Sequence, residues 1–271
     1  MFPSLSLFSA PVNRSTIYTG TAIFLFAHQD DEYGAYQLIM DELDAGNDVY
    51  CIFFTDGSYG GADSNIRNSE SSKVLSKLGV KQNKILFYGT TSSIPDTMLV
   101  KNLNQVANWL FGFLKNVYNI KALYTPAWEG GHPDHDSLHA ITVWVARKLD
   151  CINIVRQFPL YNAVGMKKYF FHVLTPLHQN GTVHIRKIHL LNRIRFIRYS
   201  WWYRSQVKTC KTLFLFVNLH YLIGKGISTQ YVSESRIMTK PHPGKLFYER
   251  KGFCMWKWKS FNKCVQDFFL T

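Results

Sequence analysis

Acidic residues are almost missing from the second half of this chain. None lies between Asp150 and Glu234, and residues 151–271 hold three, Glu234, Glu249 and Asp267, against 20 lysines and arginines. The first 150 residues run the other way, with 15 acidic and 11 basic side chains. The formal charge of +13 is therefore an average over two unlike parts. A half suited to holding a cation is followed by a basic, aromatic half of the kind that meets phosphate, nucleic acid or an anionic membrane surface.

Cysteine is sparse and unpatterned. The five present (Cys51, Cys151, Cys210, Cys254, Cys264) are an odd number without CxxC or zinc-finger spacing, which argues against a thiolate metal site or a disulfide framework. Cys51 lies in an apolar run and reads as a buried hydrophobe. Long apolar runs are lacking too. The longest near the C-terminus, Leu213 to Ile223, is broken by Asn218 and His220 and falls short of the roughly 20 residues that span a bilayer. Met1 to Gly20 shows no charged segment leading into an apolar stretch of signal-peptide length. With no internal repeat or low-complexity tract, the expectation is a soluble, cytoplasmic protein whose 271 residues bury a sizeable core.

What is present is an alternation of strand and helix patterns. Residues 21–27, 49–54, 85–88 and 122–124 are short apolar runs, as expected of strands buried on both faces. Between and after them, helical spacing covers 33–45, 66–78, 100–117 and 136–149, and 153–158 reads as a further strand. This order predicts an α/β, Rossmann-like fold: a mostly parallel sheet flanked by helices, with a basic, aromatic-rich C-terminal extension. We expect residues 1–160 to form the α/β core. Residues 161–271 would be a substrate-side region packed on it within one domain.

Two polar clusters interrupt the pattern at strand ends. Ala27-His28-Gln29-Asp30-Asp31-Glu32 places one imidazole and three carboxylates where the first strand gives way to a helix. Gly130-Gly131-His132-Pro133-Asp134-His135-Asp136-Ser137-Leu138-His139 does the same after the fourth strand, with Pro133 suited to a first helical position and Asp134 and Asp136 to the positive helix end. Both clusters fall at the carboxyl edge of the sheet, where such folds bind ligands. Catalytic zinc takes three protein ligands from histidine and carboxylate and keeps a position for water. His28, one of Asp30 and Asp31, and one of His132, His135 and His139 supply that set. The leftover aspartate and histidine are then a general base and an oxyanion stabiliser. Spacing alone leaves those choices open.

At these residues the chain resembles the PIG-L-like (LmbE-like) family of metal-dependent N-acetylglucosaminyl de-N-acetylases. Ala27 to Glu32 is similar to the family's A-H-P-D-D-E, with Gln29 in place of proline, and His132-Pro133-Asp134-His135 matches its H-P-D-H. Between them, Thr55-Asp56-Gly57 through Gly61 and Arg67-Asn68-Ser69-Glu70 are similar to its T-x-G loop and R-x-x-E helix. The likeness covers about residues 20–150; beyond that, Tyr203-Arg204-Ser205-Gln206 is a faint echo. The resemblance implies that His28, Asp31 and His135 bind Zn2+, that Asp30 is the general base, and that a protonated His132 helps hold the oxyanion. It also implies an acetylated amino sugar as substrate, with Arg67 contacting a hydroxyl or phosphate of its second group. The same donors accept iron, cobalt or nickel.

Blander readings compete. Arg67 and Glu70, three apart on a helix, fit a surface ion pair, and His139 fits a packed histidine. The basic half fits a solvated face, a site for an anionic substrate, or peripheral contact with a membrane, for which the Arg/Trp/Tyr-rich stretch 193–204 is suited. Nucleic-acid binding, the reading of a different class, leaves the His/Asp constellation unexplained, and no nucleic-acid module is recognisable. A zinc amidase acting on another amide, such as a thiol conjugate, keeps the site and changes the substrate.

Overall fold

The structure is a computed structural model that describes residues 19–168, 170–206, 211–224, 226–250 and 255–270. Most of Met1 to Gly20, and also Cys210 and Cys254, thus lie outside the described residues. Strand and helix alternate as β1 (Thr21–Phe26), α1 (Tyr36–Asp44), β2 (Asp48–Phe53), α2 (Ser64–Leu78), β3 (Ile85–Phe87), the single turn α3 (Tyr88–Thr91), α4 (Leu103–Lys115), β4 (Ile120–Pro126), α5 (Pro133–Lys148) and β5 (Val155–Phe158). The later chain adds β6 (Tyr161–Asn162), β7 (His172–Val173), β8 (His184–Arg186), α6 (Leu190–Ser200), α7 (Lys211–Leu222), β9 (Ile227–Tyr231), α8 (Glu234–Ile237) and α9 (Trp258–Phe269).

The main sheet has seven strands in the order β3-β2-β1-β4-β5-β9-β8. The first five run parallel, whereas β9 lies antiparallel to β5 and β8 antiparallel to β9. β6 and β7 form a separate two-stranded ribbon. The parallel order reverses direction between β1 and β4, which opens a crevice beyond their carboxyl ends. Both polar clusters follow these two strands.

Every residue of β1 is buried, because the strand carries helices on both sides. Ala22, Phe24 and Phe26 point into a core shared with α1, α2, α6 and α7, and Ile23 and Leu25 into one shared with α4, α5 and α9. The expected helix at 33–45 begins with a separate 3-10 turn, Asp31–Gly34, before α1. α2 starts two residues earlier than its apolar spacing suggests, because the Asp63 side chain caps it, accepting from Asn65 N at 2.8 Å. Gly79, at φ +112°, ends it.

α6 and α7 form an antiparallel hairpin. Arg193 lies beside Gly224 at one end, Phe196 meets Tyr221, Ser200 meets Asn218, and Tyr203 stacks on Phe214 at the other. The hairpin is fastened to the first half through polar groups. The Tyr203 hydroxyl donates to Glu32 Oε1 at 2.8 Å, and Tyr221 donates to Tyr33 O at 2.5 Å. Ser205 donates to Glu70 through both its N–H (3.0 Å) and its hydroxyl (2.6 Å). Glu70 therefore reaches across to the later chain and is not the surface partner of Arg67. Among the described residues, no helix is long and apolar enough to cross a membrane.

Candidate metal centre and active site

His28 and Asp31 leave β1 in a tight loop that Asp31 itself closes. Its Oδ2 accepts from the backbone N–H groups of Ala27 (2.9 Å) and His28 (2.8 Å), which leaves Oδ1 facing outward. α5 brings His135 to the same point. His135 Nε2 lies 3.0 Å from Asp31 Oδ1 and 3.2 Å from His28 Nδ1, and His28 Nδ1 is 3.6 Å from Asp31 Oδ2. A tetrahedral ion with zinc-like bonds separates its ligand atoms by about 3.3 Å. Two imidazole nitrogens and a carboxylate facing one another at this spacing, all three side chains buried, fit a divalent transition metal.

The ring of His28 is held from behind. Its Nε2 lies 3.1 Å from Asp134 Oδ2 and 3.4 Å from Asp96 Oδ1. Asp134 is fixed in turn by the N–H groups of Thr97 (2.6 Å) and Leu99 (3.0 Å). This is the carboxylate–histidine pairing that orients a metal-binding imidazole. His28, Asp96, His132 and Asp134 form a second group of close donors. There, however, both Asp134 oxygens are already bonded to backbone, whereas Asp31 keeps Oδ1 for His135 Nε2 at 3.0 Å.

Asp30 and His132 line the same cavity, of about 280 Å³, with His28, Asp31, Arg67 and His135. Asp30 sits at φ +128°, a conformation that costs a non-glycine residue energy and that clusters at functional sites. Burial pushes its carboxyl up to about 7, against the pull of the Arg67 guanidinium 3.5 Å away. Burial also acts to raise Asp31, but the neighbouring His135 and His28 outweigh it and hold that carboxyl well below the usual range. The two adjacent aspartates are thereby driven apart, one toward a proton acceptor near neutrality and one toward a permanent anion.

His132 is the N-cap of α5, and its Nδ1 accepts from Asp134 N at 3.2 Å. That bond leaves Nε2 to carry the proton of the neutral ring. Burial, reinforced by His28, holds the His132 imidazole well below its ordinary value. Nε2 is thus the ring nitrogen that turns a hydrogen to the cavity. His139 packs against Trp128 and bonds Pro126 O at 2.9 Å, away from the metal donors.

Arg67 is almost wholly buried. Its Nη1 donates to Gly57 O and its Nη2 to Gln29 O, each at 2.6 Å. It clamps the loop after β1 to the loop after β2, with Asp30 and Asp96 as flanking anions. Gln29, where the family has proline, is fully buried and ties the same loops, donating to Asn68 Oδ1 (2.7 Å) and Thr55 O (3.3 Å). Tethering takes over the rigidity that a pyrrolidine ring would give.

The structure adds three groups that spacing did not single out for the site. Asp96 comes from the polar loop after β3, and its only advance signal is the position of that loop at the carboxyl edge. Tyr161 places its ring against His135. Glu129 accepts from Leu160 N (2.6 Å), Tyr161 N (2.9 Å) and Asn162 Nδ2 (3.3 Å), so it pins the stretch that carries Tyr161 to the loop before α5.

Fold and site together define an α/β protein with a His/Asp metal-type centre at the carboxyl edge of its sheet. Residues 23–146 match the PIG-L family, described as GlcNAc-PI de-N-acetylase. No curated protein is similar enough to match. Among solved structures, the chain resembles a deacetylase of the teicoplanin biosynthesis pathway (TM-score 0.58, 15% identity, covering 79% of this chain and 99% of that one). It also resembles a conserved protein from Thermus thermophilus (TM-score 0.54, 14% identity, 79% and 94%). A third likeness is to the N,N'-diacetylchitobiose deacetylase from Pyrococcus horikoshii (TM-score 0.51, 14% identity, 78% and 83%). At these identities the likenesses establish the fold.

Proposed function

We propose that this protein is a metal-dependent de-N-acetylase that hydrolyses the acetamide of an N-acetylglucosamine-type sugar in a glycoconjugate. The observation that carries the reading is the meeting of His28, Asp31 and His135 at 3.0–3.6 Å, with Asp30 and His132 lining the same cavity. The PIG-L match over residues 23–146 spans both clusters and supports it. A deacetylase of the teicoplanin biosynthesis pathway and an N,N'-diacetylchitobiose deacetylase among the structural relatives support an acetylated substrate.

His28, Asp31 and His135 would hold the ion, with zinc the first candidate. When bound, it supplies a Lewis acid and a water of lowered pKa. Asp30 would take a proton from the attacking water as its oxygen adds to the acetamide carbonyl carbon. His132 Nε2–H donates to the carbonyl oxygen as negative charge develops there, an interaction commonly worth about 3 kcal/mol. When the C–N bond breaks, Asp30 returns the proton to the departing nitrogen, giving acetate and an amino sugar. Arg67 holds the Asp30 loop through Gln29 O, so its contribution to substrate contact is confined to the edge it turns to the cavity.

The test is acetate release by the zinc-loaded protein across nucleotide-, lipid- and polysaccharide-linked N-acetylglucosamine, with N-acyl thiol conjugates as the competing class. Turnover of an acetamido sugar is expected. Turnover of thiol conjugates alone would move the assignment to another amidase.

A further inference from the structure

α7 turns an apolar face to solvent. Phe214, Val217 and Tyr221 are packed inward, while Leu215 (63% exposed), Leu219, Leu222 (65%) and Ile223 stand outward along one side. A surface helix normally carries polar residues there, and a contiguous apolar stripe marks a surface that meets something. The partner helix continues the patch. Leu191 (79% exposed), Leu190 and Ile194 stand out near the α6 N-terminus, at the hairpin end where Arg193 lies beside Gly224. Trp201 (71% exposed) projects at the far end of α6.

The charge around this patch selects its occupant. Arg195, Arg198 and Arg204 are exposed on the same hairpin, and no aspartate or glutamate occurs from residue 151 to residue 233. A second copy of the chain would bring the same cationic surface against itself, and like charges in contact oppose association. An anionic bilayer answers both properties. Leucine, isoleucine and tryptophan side chains enter the boundary between headgroups and acyl chains, and arginines pair with lipid phosphates.

We propose that the outer face of the α6–α7 hairpin is a docking surface for an anionic membrane, with both helices lying in the headgroup plane. The hairpin tip also contributes to the catalytic cavity through Gln206, Thr212 and Leu213. Docking therefore sets the active site at the lipid surface while the sheet stays in water. The contact is peripheral and depends on salt, because the arginine contribution is screened.

The experiment is co-sedimentation of the full chain with vesicles of equal parts phosphatidylcholine and phosphatidylglycerol, and with phosphatidylcholine alone, over a salt series. Wild type is expected to pellet with the anionic vesicles at low salt and to be released as salt rises. Leu219→Glu/Leu222→Glu and Arg195→Ser/Arg198→Ser should each weaken partitioning by about tenfold or more. All four residues are exposed, and unchanged circular dichroism and zinc uptake would separate loss of docking from misfolding. No pelleting by folded wild type, or equal pelleting with neutral vesicles, overturns the proposal. So does a concentration-dependent dimer that Leu219→Glu/Leu222→Glu abolishes, which would assign the face to self-association. None of these outcomes depends on acetate release, so this test and that of the hydrolase reading fail independently.

Discussion

At the scale of single residues, the carboxyls of two adjacent aspartates shift in opposite directions because their surroundings differ. Asp31 is fixed by two backbone N–H groups and faces two imidazoles, whereas Asp30 occupies a strained conformation beside Arg67 with burial driving its carboxyl upward. Asp30→Asn removes the proposed proton acceptor and leaves His28, Asp31 and His135 in place. We expect it to bind zinc as wild type does and to lose about 10²–10⁴-fold in kcat. His135→Ala removes a donor and should lower zinc content in elemental analysis. Full activity in Asp30→Asn would displace it as the base. Wild-type zinc content in His135→Ala would displace the ligand set.

At the scale of elements, the loop after β1 is tethered by neighbouring segments. Gln29 reaches Thr55 and Asn68, Arg67 joins Gln29 O to Gly57 O, and Gly57 makes room for both at φ +67°. A Cβ on Gly57 would lie 2.2 Å from Gln29 Oε1 and 3.0 Å from the Arg67 guanidinium. Gly57→Ala thus combines backbone strain with a clash in a packed site, and we expect a loss of about 1–3 kcal/mol in thermal or denaturant unfolding. Activity should fall with it, because the displaced groups position Asp30. A variant as stable and active as wild type would show that the loop is not constrained in this way. The hairpin is a second element whose role exceeds its packing. The faint likeness at Tyr203 to Gln206 coincides with its anchor points, Tyr203 on Glu32 and Ser205 on Glu70.

At the scale of the whole molecule, several buried carboxyls set how stability varies with pH. Burial raises Glu129 to about 8, and Glu32 and Asp136 to about 7, despite the hydrogen bonds each accepts. A raised carboxyl binds more protons in the folded state than in the unfolded one, so its stabilisation is present at low pH and lost as pH climbs through the folded value. The histidines lowered by burial, His132 and His139, affect stability only below their unfolded value near 6.5. Between pH 7 and 9, the melting temperature of the metal-free protein should therefore fall. Glu129→Gln should flatten that slope, since it removes the carboxyl raised furthest into this window. A melting temperature that rises from pH 7 to 9 would contradict the assignment.

Much of this architecture is written in local sequence. Continuous apolar runs are strands because a parallel sheet is covered on both faces, and β1, β2 and β4 fall close to where those runs place them. The two histidine-rich clusters announce themselves because a buried charge must be paired or bound to a metal. Other features have no local signature. Asp96 is one polar residue in a polar loop until the β3–α4 connection folds over His28. The basic second half reads as an undivided field of charge along the chain. Only tertiary packing separates Tyr203 and Tyr221, which bond the core, from Leu215, Leu222 and Trp201, which are left outside. Strand identity and donor types follow from each residue's own chemistry. The ligand geometry, the divergence of Asp30 from Asp31 and the exposed hairpin face come from distant segments meeting, and spacing along the chain does not encode those distances.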